Sequence, residues 1–145
     1  MQQDADDVKA IRVVIARQFA SLSWSHGQPG NWGGFSSDFH AAASLFPSAR
    51  PATPQSVQEF VDRMKALLKT SLPSFQEKML GSEVRVFGNI AVATAAVEIT
   101  ENEAEVNRSV EMMLFVKSQG AWQIVSQAWD KASSDNPIPL ELQTP

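Results

Sequence analysis

The sequence predicts an α+β domain: a cone-shaped, curved antiparallel sheet wrapped around helices, with three N-terminal helices followed by four main strands. Three observations predict it. Four strand-like runs follow one another over residues 75–129, each reversed by turn chemistry. The helical periodicity lies ahead of them, so the helices pack on one face of the sheet they precede. With 145 residues, 43% hydrophobic and 19% charged, the chain suffices for one ordinary core, which predicts a single domain over 1–145.

Over residues 4–23 the apolar positions Val8, Ile11, Ile15, Phe19 and Leu22 recur every three or four residues. Asp4, Asp6 and Asp7 place negative charge at the positive end of the helix dipole, so an amphipathic helix is expected there. Gly27, Pro29, Gly30, Gly33 and Gly34 then make a loop flanked by Trp24 and Trp32. A short second helix is expected over 32–40, where Trp32, Phe35 and Phe39 share a face, and a brief strand over 43–46 that Pro47 ends. Ser56 and Glu59 have the spacing of a capping box. The third helix that follows buries Phe60, Val61, Met64, Leu67 and Leu68 and stops at Leu72-Pro73.

The main strands are expected at 75–87, 90–100, 106–117 and 122–129. Gly88-Asn89 suits a tight hairpin, 101–105 an acidic loop, and Ser118-Gln119-Gly120 a further turn. The tail Asn136-Pro137-Ile138-Pro139-Leu140 carries two prolines that bar it from a central strand, so it is expected along the surface. In 110–116 apolar side chains occupy both alternating positions of one strand, which predicts cover on both faces. Sheet-on-sheet packing in a homodimer through the outer face would supply it. The alternative is that the tail folds back over Met113 and Phe115.

A net charge of -4 argues against nucleic acid or an anionic membrane surface as partner. The chain has no cysteine, which removes disulfides, thiolate nucleophiles and sulfur ligands. The acidic start and the absence of a long apolar run lead to the expectation of a cytoplasmic protein without a signal peptide or membrane span. No Gly-rich phosphate loop or Gly-x-Ser-x-Gly elbow occurs, so cofactor-independent chemistry is expected.

Gly88-Asn89-Ile90-Ala91-Val92-Ala93, Gly120-Ala121-Trp122-Gln123-Ile124 and the closing Trp129-Asp130, in this element order, resemble the nuclear transport factor 2-like superfamily. That group includes the SnoaL-like polyketide cyclases, ketosteroid isomerases and scytalone dehydratase. Phe35-Ser36-Ser37-Asp38-Phe39-His40, Ser74-Phe75-Gln76-Glu77 and Asn136-Pro137-Ile138-Pro139 are similar to a bacterial branch of small proteins, most without an assigned activity. The resemblance implies a cystatin-like fold, an apolar small-molecule cavity open at one end and a dimer through the convex sheet face. It does not carry a reaction, because isomerases, dehydratases, cyclases and non-catalytic binders share the scaffold. With no tyrosine in the chain, a steroid-isomerase oxyanion hole built on a tyrosine hydroxyl is excluded.

His40 is the leading candidate acid or base, because imidazole exchanges protons near neutrality; Asp38 would support it and Glu77 would act as partner or base. His40 and Glu77 each have a structural alternative: a histidine that caps the short helix or hydrogen-bonds a carbonyl, and a solvated edge glutamate. His26 sits in the Gly-rich loop, and a metal site built on both histidines is not expected. Alternation places Trp122, Ile124, Ser126 and Ala128 inward on the last strand, and Val106, Arg108, Val110, Met112 and Leu114 inward on its neighbour. Arg108 would then bind a substrate carboxylate or pair with Glu77 or Glu98. Trp24, Trp32, Phe35, Phe39, Met64, Met112, Ser126, Trp129 and Asp130 are the candidate lining for a ring-shaped ligand, with ordinary core as the alternative for the aromatic residues. The function expected is proton transfer of isomerase, dehydratase or cyclase type on an apolar small molecule, or else non-catalytic binding of a ligand or protein by the dimer.

Overall fold

A computed structural model describes residues 2–25 and 27–144. Helix α1 (Gln2–Ser21) is followed by α2 (Trp32–Ser37), β1 (Phe39–Phe46), β2 (Gln55–Ser56), α3 (Val57–Lys69), β3 (Phe75–Phe87), β4 (Ile90–Glu101), β5 (Glu105–Ser118) and β6 (Ala121–Lys131). A 3-10 turn at Leu140–Leu142 closes the tail. The strands form one curved, open sheet in the order β2-β1-β6-β5-β4-β3.

Two features of the sheet depart from the expected one. Six strands are described: the four main ones, the brief strand expected at 43–46, which begins earlier at Phe39, and the two-residue β2, which was not expected. The sheet is also mixed: β1 runs parallel to β6, while the other neighbours are antiparallel. The chain between β1 and β6, through β2, α3 and the β3–β5 meander, is long enough to return a strand parallel to β1.

Local chemistry explains the boundaries. The Asn31 side chain accepts from the Gly34 amide at 3.0 Å and caps α2. Ser56 Oγ accepts from the Glu59 amide at 3.0 Å, and the Glu59 carboxylate accepts from the Ser56 amide at 2.9 Å, so the expected capping box starts α3. Gly88 turns the β3–β4 hairpin at φ 58°, and Gln119 and Gly120 turn β5 into β6 with φ 54° and 80°, the positive angles that match strand twist. The acidic loop is shorter than expected, residues 102–104, since β4 and β5 pair as far as Glu101 and Glu105.

Helix α1 buries Ile11, Val14, Ile15 and Phe19 on the concave side of the sheet, against Ala91, Ala93, Ala95, Val97, Met113, Phe115 and Ile124. Its first turns are tied down at Asp7, a buried carboxylate that accepts from Lys117 Nζ at 3.0 Å and Trp122 Nε1 at 3.1 Å. Those hydrogen bonds, Lys117 first, hold the Asp7 carboxyl below its ordinary range. Further along α1, the exposed Arg17 guanidinium grips buried Asp38 through Nε and Nη2.

Two bulges decide which side chains face the core. In β3 the register with β4 shifts between Met79 and Gly81. In β6, Leu114 pairs with Ser126 and Phe115 with Ile124, so Val125 is an extra residue. Trp122 and Ile124 point inward as expected, but beyond the bulge the parity flips: Gln127 is buried, while Ala128 and Asp130 are exposed.

On β5 the inward set is Ser109, Glu111, Met113 and Phe115, the reverse of the expected alternation. Arg108, Met112 and Leu114 are exposed on the convex face. The tail does cross that face, but over other residues than Met113 and Phe115. Ile138 and Leu142 pack on Ala96, with Leu80, Val110 and Ala132 around them. Gly81 permits this approach: a Cβ there would lie 2.5 Å from the carbonyl oxygens of Leu142 and Thr144.

Candidate functional site

The concave side of the sheet is not filled to its end. A cavity of about 470 Å³ opens between α1, α3 and the ends of β1, β3, β4, β5 and β6. Its walls are apolar, with Leu22, Phe35, Leu45, Phe60, Met64 and Phe75 among the lining residues. Four of its polar lining residues, Gln18, Glu77, Glu111 and Gln127, come from four different elements.

These polar groups are connected. Gln18 and Gln127 exchange side-chain amide hydrogen bonds in both directions, at 2.7 and 3.1 Å. Gln127 Nε2 also donates to Glu111 Oε1. Gln18 is 1% exposed, Gln127 3% and Glu111 6%, so the network is shielded from water by protein. Glu77 is half-buried on β3, where its backbone N–H donates to Ser23 Oγ at 3.0 Å.

Burial makes both carboxylates reluctant to ionise. Desolvation raises Glu111 to about 7, against the opposing effect of the Gln127 hydrogen bond. Glu77 is raised well above the ordinary carboxylate range, by desolvation first and by the nearby charge of Glu111 second. The cavity therefore holds two carboxyls that resist ionisation in one apolar space, and Glu111 is balanced between its two forms near neutrality.

Of the residues proposed from sequence, Glu77, Phe35, Met64 and Trp129 line this cavity. The others lie elsewhere. His40 is exposed, and its Nδ1 accepts from the Ala42 amide at 3.0 Å. Asp38 is 3% exposed and is engaged with Arg17 rather than with His40. Trp24 is core: it stacks on Phe75 with ring centres 4.8 Å apart and donates from Nε1 to the Leu72 carbonyl at 2.8 Å. Trp32 tilts against Trp24 at 5.5 Å and Phe39 against Phe35 at 4.9 Å, both outside the cavity lining.

Arg108 faces the convex side and pairs with Glu98 at 2.9 Å, the ion pair weighed as its alternative. Met112 and Asp130 border a shallower hollow of about 280 Å³ on that side, beside the prolines of the tail. Ser126 lines none of these cavities. A groove of about 590 Å³ between the tail and Val106-Asn107-Arg108 is larger but more open, and neither Glu77 nor Glu111 borders it. His26 lies outside the described residues. Among the described residues no three His, Asp or Glu side chains are placed to hold a metal ion.

Gln18, Glu111 and Gln127 were missed. Glu111 carried a signal, as the one charged residue in the otherwise apolar run 110–116, but inverted parity pointed it outward. Gln127 was hidden by the bulge at Val125, which no glycine or proline announces.

No family model and no curated protein matches the chain. Solved structures do, over nearly its whole length. A protein of unknown function with a cystatin-like fold from Nostoc punctiforme superposes with a TM-score of 0.70 at 13% identity, covering 90% of this chain and 94% of the other. A hexachlorocyclohexane dehydrochlorinase from Novosphingobium barchaimii gives 0.71 at 11% identity, covering 89% and 88%. A candidate dehydratase of the NTF2-like family from Streptomyces avermitilis gives 0.70 at 15% identity, covering 90% and 99%. The chain has the NTF2-like, cystatin-like fold, in agreement with the resemblance read from its sequence. No helix among the described residues is long and apolar enough to cross a membrane.

Proposed function

We propose that the chain is a small-molecule enzyme of cofactor-independent proton transfer, of the elimination or isomerisation type, with Glu111 as base and Glu77 as acid. One observation carries this reading: two carboxyl groups, both resisting ionisation, face one apolar cavity from different strands. A purely structural role would leave them ion-paired, as Asp38 and Glu98 are, yet neither has a cation within 4 Å among the described residues. The cavity volume lies within the range of ligand sites. Two fold neighbours named for eliminations, a dehydrochlorinase and a candidate dehydratase, support the reaction class by analogy only.

In an elimination of water, ionised Glu111 removes a proton from carbon while the Glu77 carboxylic acid protonates the departing hydroxyl. The C–H and C–O bonds break, a C=C bond forms, and water leaves. Glu111 then returns its proton through solvent to Glu77. Gln127, fixed by Gln18, holds the Glu111 carboxylate in place and favours its ionised form. In an isomerisation the same pair moves a proton between two carbons while Glu77 hydrogen-bonds the carbonyl oxygen.

Proton NMR in deuterated buffer tests this on a panel of β-hydroxy carbonyl compounds. Enzyme-dependent deuterium uptake at carbon or loss of water is expected, and Glu111→Gln is expected to lower it by at least about a hundredfold. His40→Ala is expected to leave the rate unchanged. Uptake that survives Glu111→Gln but not His40→Ala would return the chemistry to the histidine.

The dimer belongs to the same proposal. Ile90, Val92, Met112 and Leu114 are 51%, 50%, 60% and 42% exposed on adjacent strands, where Val92 pairs with Leu114. This apolar stripe, beside the part of the convex face that the tail covers, suits a second copy of the sheet. Native mass spectrometry at micromolar concentration is expected to give a dimer that Leu114→Lys converts to monomer. A monomeric wild-type chain would remove the dimer from the proposal.

A further inference from the structure

The cavity has two differently charged ends, and its mouth suggests what enters. Among its lining residues the exposed ones, which mark the opening, are Ala49, Arg63 and Lys131, with half-buried Ser48 and Glu101 beside them. Arg63 comes from α3 and Lys131 from the end of β6, so two separate elements bring cations to one opening.

Neither cation is committed elsewhere. Among the described residues the ion pairs within 4 Å are Arg17–Asp38, Arg108–Glu98 and Lys117–Asp7, and they include neither Arg63 nor Lys131. Glu101, the one carboxylate at the mouth, accepts instead from Asn107 Nδ2 at 3.3 Å. The opening therefore carries two positive charges and one negative on a chain whose net charge is -4. Charge of one sign at the entrance of a low-dielectric cavity concentrates ligands of the other sign.

Between this mouth and the Glu111–Gln127 network the wall offers Phe60, Met64 and Trp129, with Phe60 and Trp129 in an edge-to-face pair at 5.6 Å. Such a wall takes an apolar or ring-shaped body, not a second charge. We propose that the ligand is an amphipathic organic acid, whose carboxylate is held at the mouth by Arg63 and Lys131 while its apolar body fills the cavity toward Glu77 and Glu111. The inference rests on the proposed pocket and names the substrate class for its chemistry. A neutral ligand would leave both cations without a role, and an amine would have to enter past them.

Isothermal titration of the full chain with 2-naphthoate, its neutral isostere 2-naphthamide and the cation 2-naphthylmethylamine tests the inference. The acid is expected to bind at least about tenfold more tightly than the amide, and its affinity to fall with added salt. The Arg63→Gln/Lys131→Gln double variant is expected to lose that tenfold preference while binding the amide unchanged. Arg108→Gln, on the opposite face, is expected to keep it. Both cations are exposed, so an unaltered melting temperature would establish that the double variant is folded.

Equal binding of acid and amide, or an acid preference that survives the double substitution, overturns the inference while leaving proton transfer intact. Preference for the amine also overturns it and assigns ligand charge to the carboxylates within. Acid binding without any catalysed exchange on the β-hydroxy panel leaves the inference standing and removes the enzyme reading. Failure of all three compounds to bind at millimolar concentration overturns both.

Discussion

Replacing Glu111 by Gln is expected to raise the melting temperature at pH 8 and to change it little at pH 4.5. Burial lifts the Glu111 carboxyl to about 7 in the folded chain, whereas the same group in an unfolded chain titrates near 4.5. Between those values the folded state binds more protons than the unfolded one, so the contribution of Glu111 to stability falls as pH rises through that window. Above it, holding an ionised carboxylate at a site only 6% exposed costs on the order of 3 kcal/mol. Glutamine keeps the shape and still accepts from Gln127, but it has no charge to desolvate. A gain of roughly 5–10 °C at pH 8 follows for a domain of this size. Glu77, raised for the same reason, leaves the variant a weaker pH dependence of the same sign. Differential scanning calorimetry from pH 4.5 to 8.5 checks it, and parallel wild-type and variant curves would count against a buried, hard-to-ionise Glu111.

The same substitution is expected to abolish proton transfer, so greater stability and lost activity should appear together. That combination separates a functional group from a structural one. A structural carboxylate contributes to stability when ionised, as Asp7 does through Lys117 and Trp122. Glu111 does the reverse, which is the usual mark of a group kept at an energetic cost for chemistry.

Trp24→Ala is expected to produce the largest loss of stability, about 3–5 kcal/mol. The indole is 2% exposed, stacks on Phe75, and satisfies the Leu72 carbonyl just beyond α3. Truncation opens a void between the loop after α1 and the start of β3, and leaves that carbonyl without its donor. Urea denaturation with unchanged m-value would report the loss. Trp24 touches the wall of the cavity through Phe75 and Leu72 without lining it, so ligand affinity of the folded variant should change less than after a substitution at Trp129. A loss below about 1 kcal/mol would mean that Trp24 is a pocket residue rather than core.

The sequence showed its architecture through signals that act locally. The Ser56–Glu59 capping box, the positive-φ turns at Gly88 and Gly120, and the apolar spacing from Ile11 to Leu22 each specify their own element without help from the rest of the chain. The parallel pairing of β1 with β6 was not legible, because it depends on a long-range crossover rather than on a turn. The site depended on parity. Period-2 alternation assigns faces only when the starting phase is right and no residue is inserted. On β5, where apolar residues fill both faces, the phase was inverted, and Arg108 and Met112 were exchanged for Glu111 and Met113. On β6 the phase was right at Trp122 and Ile124 but was lost at Val125, so Ser126 was chosen over Gln127.

His40 lies outside the cavity for a different reason. Its side-chain chemistry suited the proposal, but β1 carries it outward over residues 40–42, all exposed, where the pairing with β6 is irregular. Glu77 lines the cavity because it sits two residues into β3, near a strand start that Pro73 and Phe75 mark in the sequence.

Carbon-detected NMR of the glutamate side-chain carboxyls, followed from pH 3 to 9, addresses the central claim most directly. Two resonances, assigned by their loss in Glu111→Gln and Glu77→Gln, are expected to stand apart from the rest: Glu111 with a midpoint near 7, and Glu77 also well above the ordinary carboxylate range. If both carboxyls instead titrate in the ordinary carboxylate range, the cavity holds a solvated pair and the proposed acid and base do not exist.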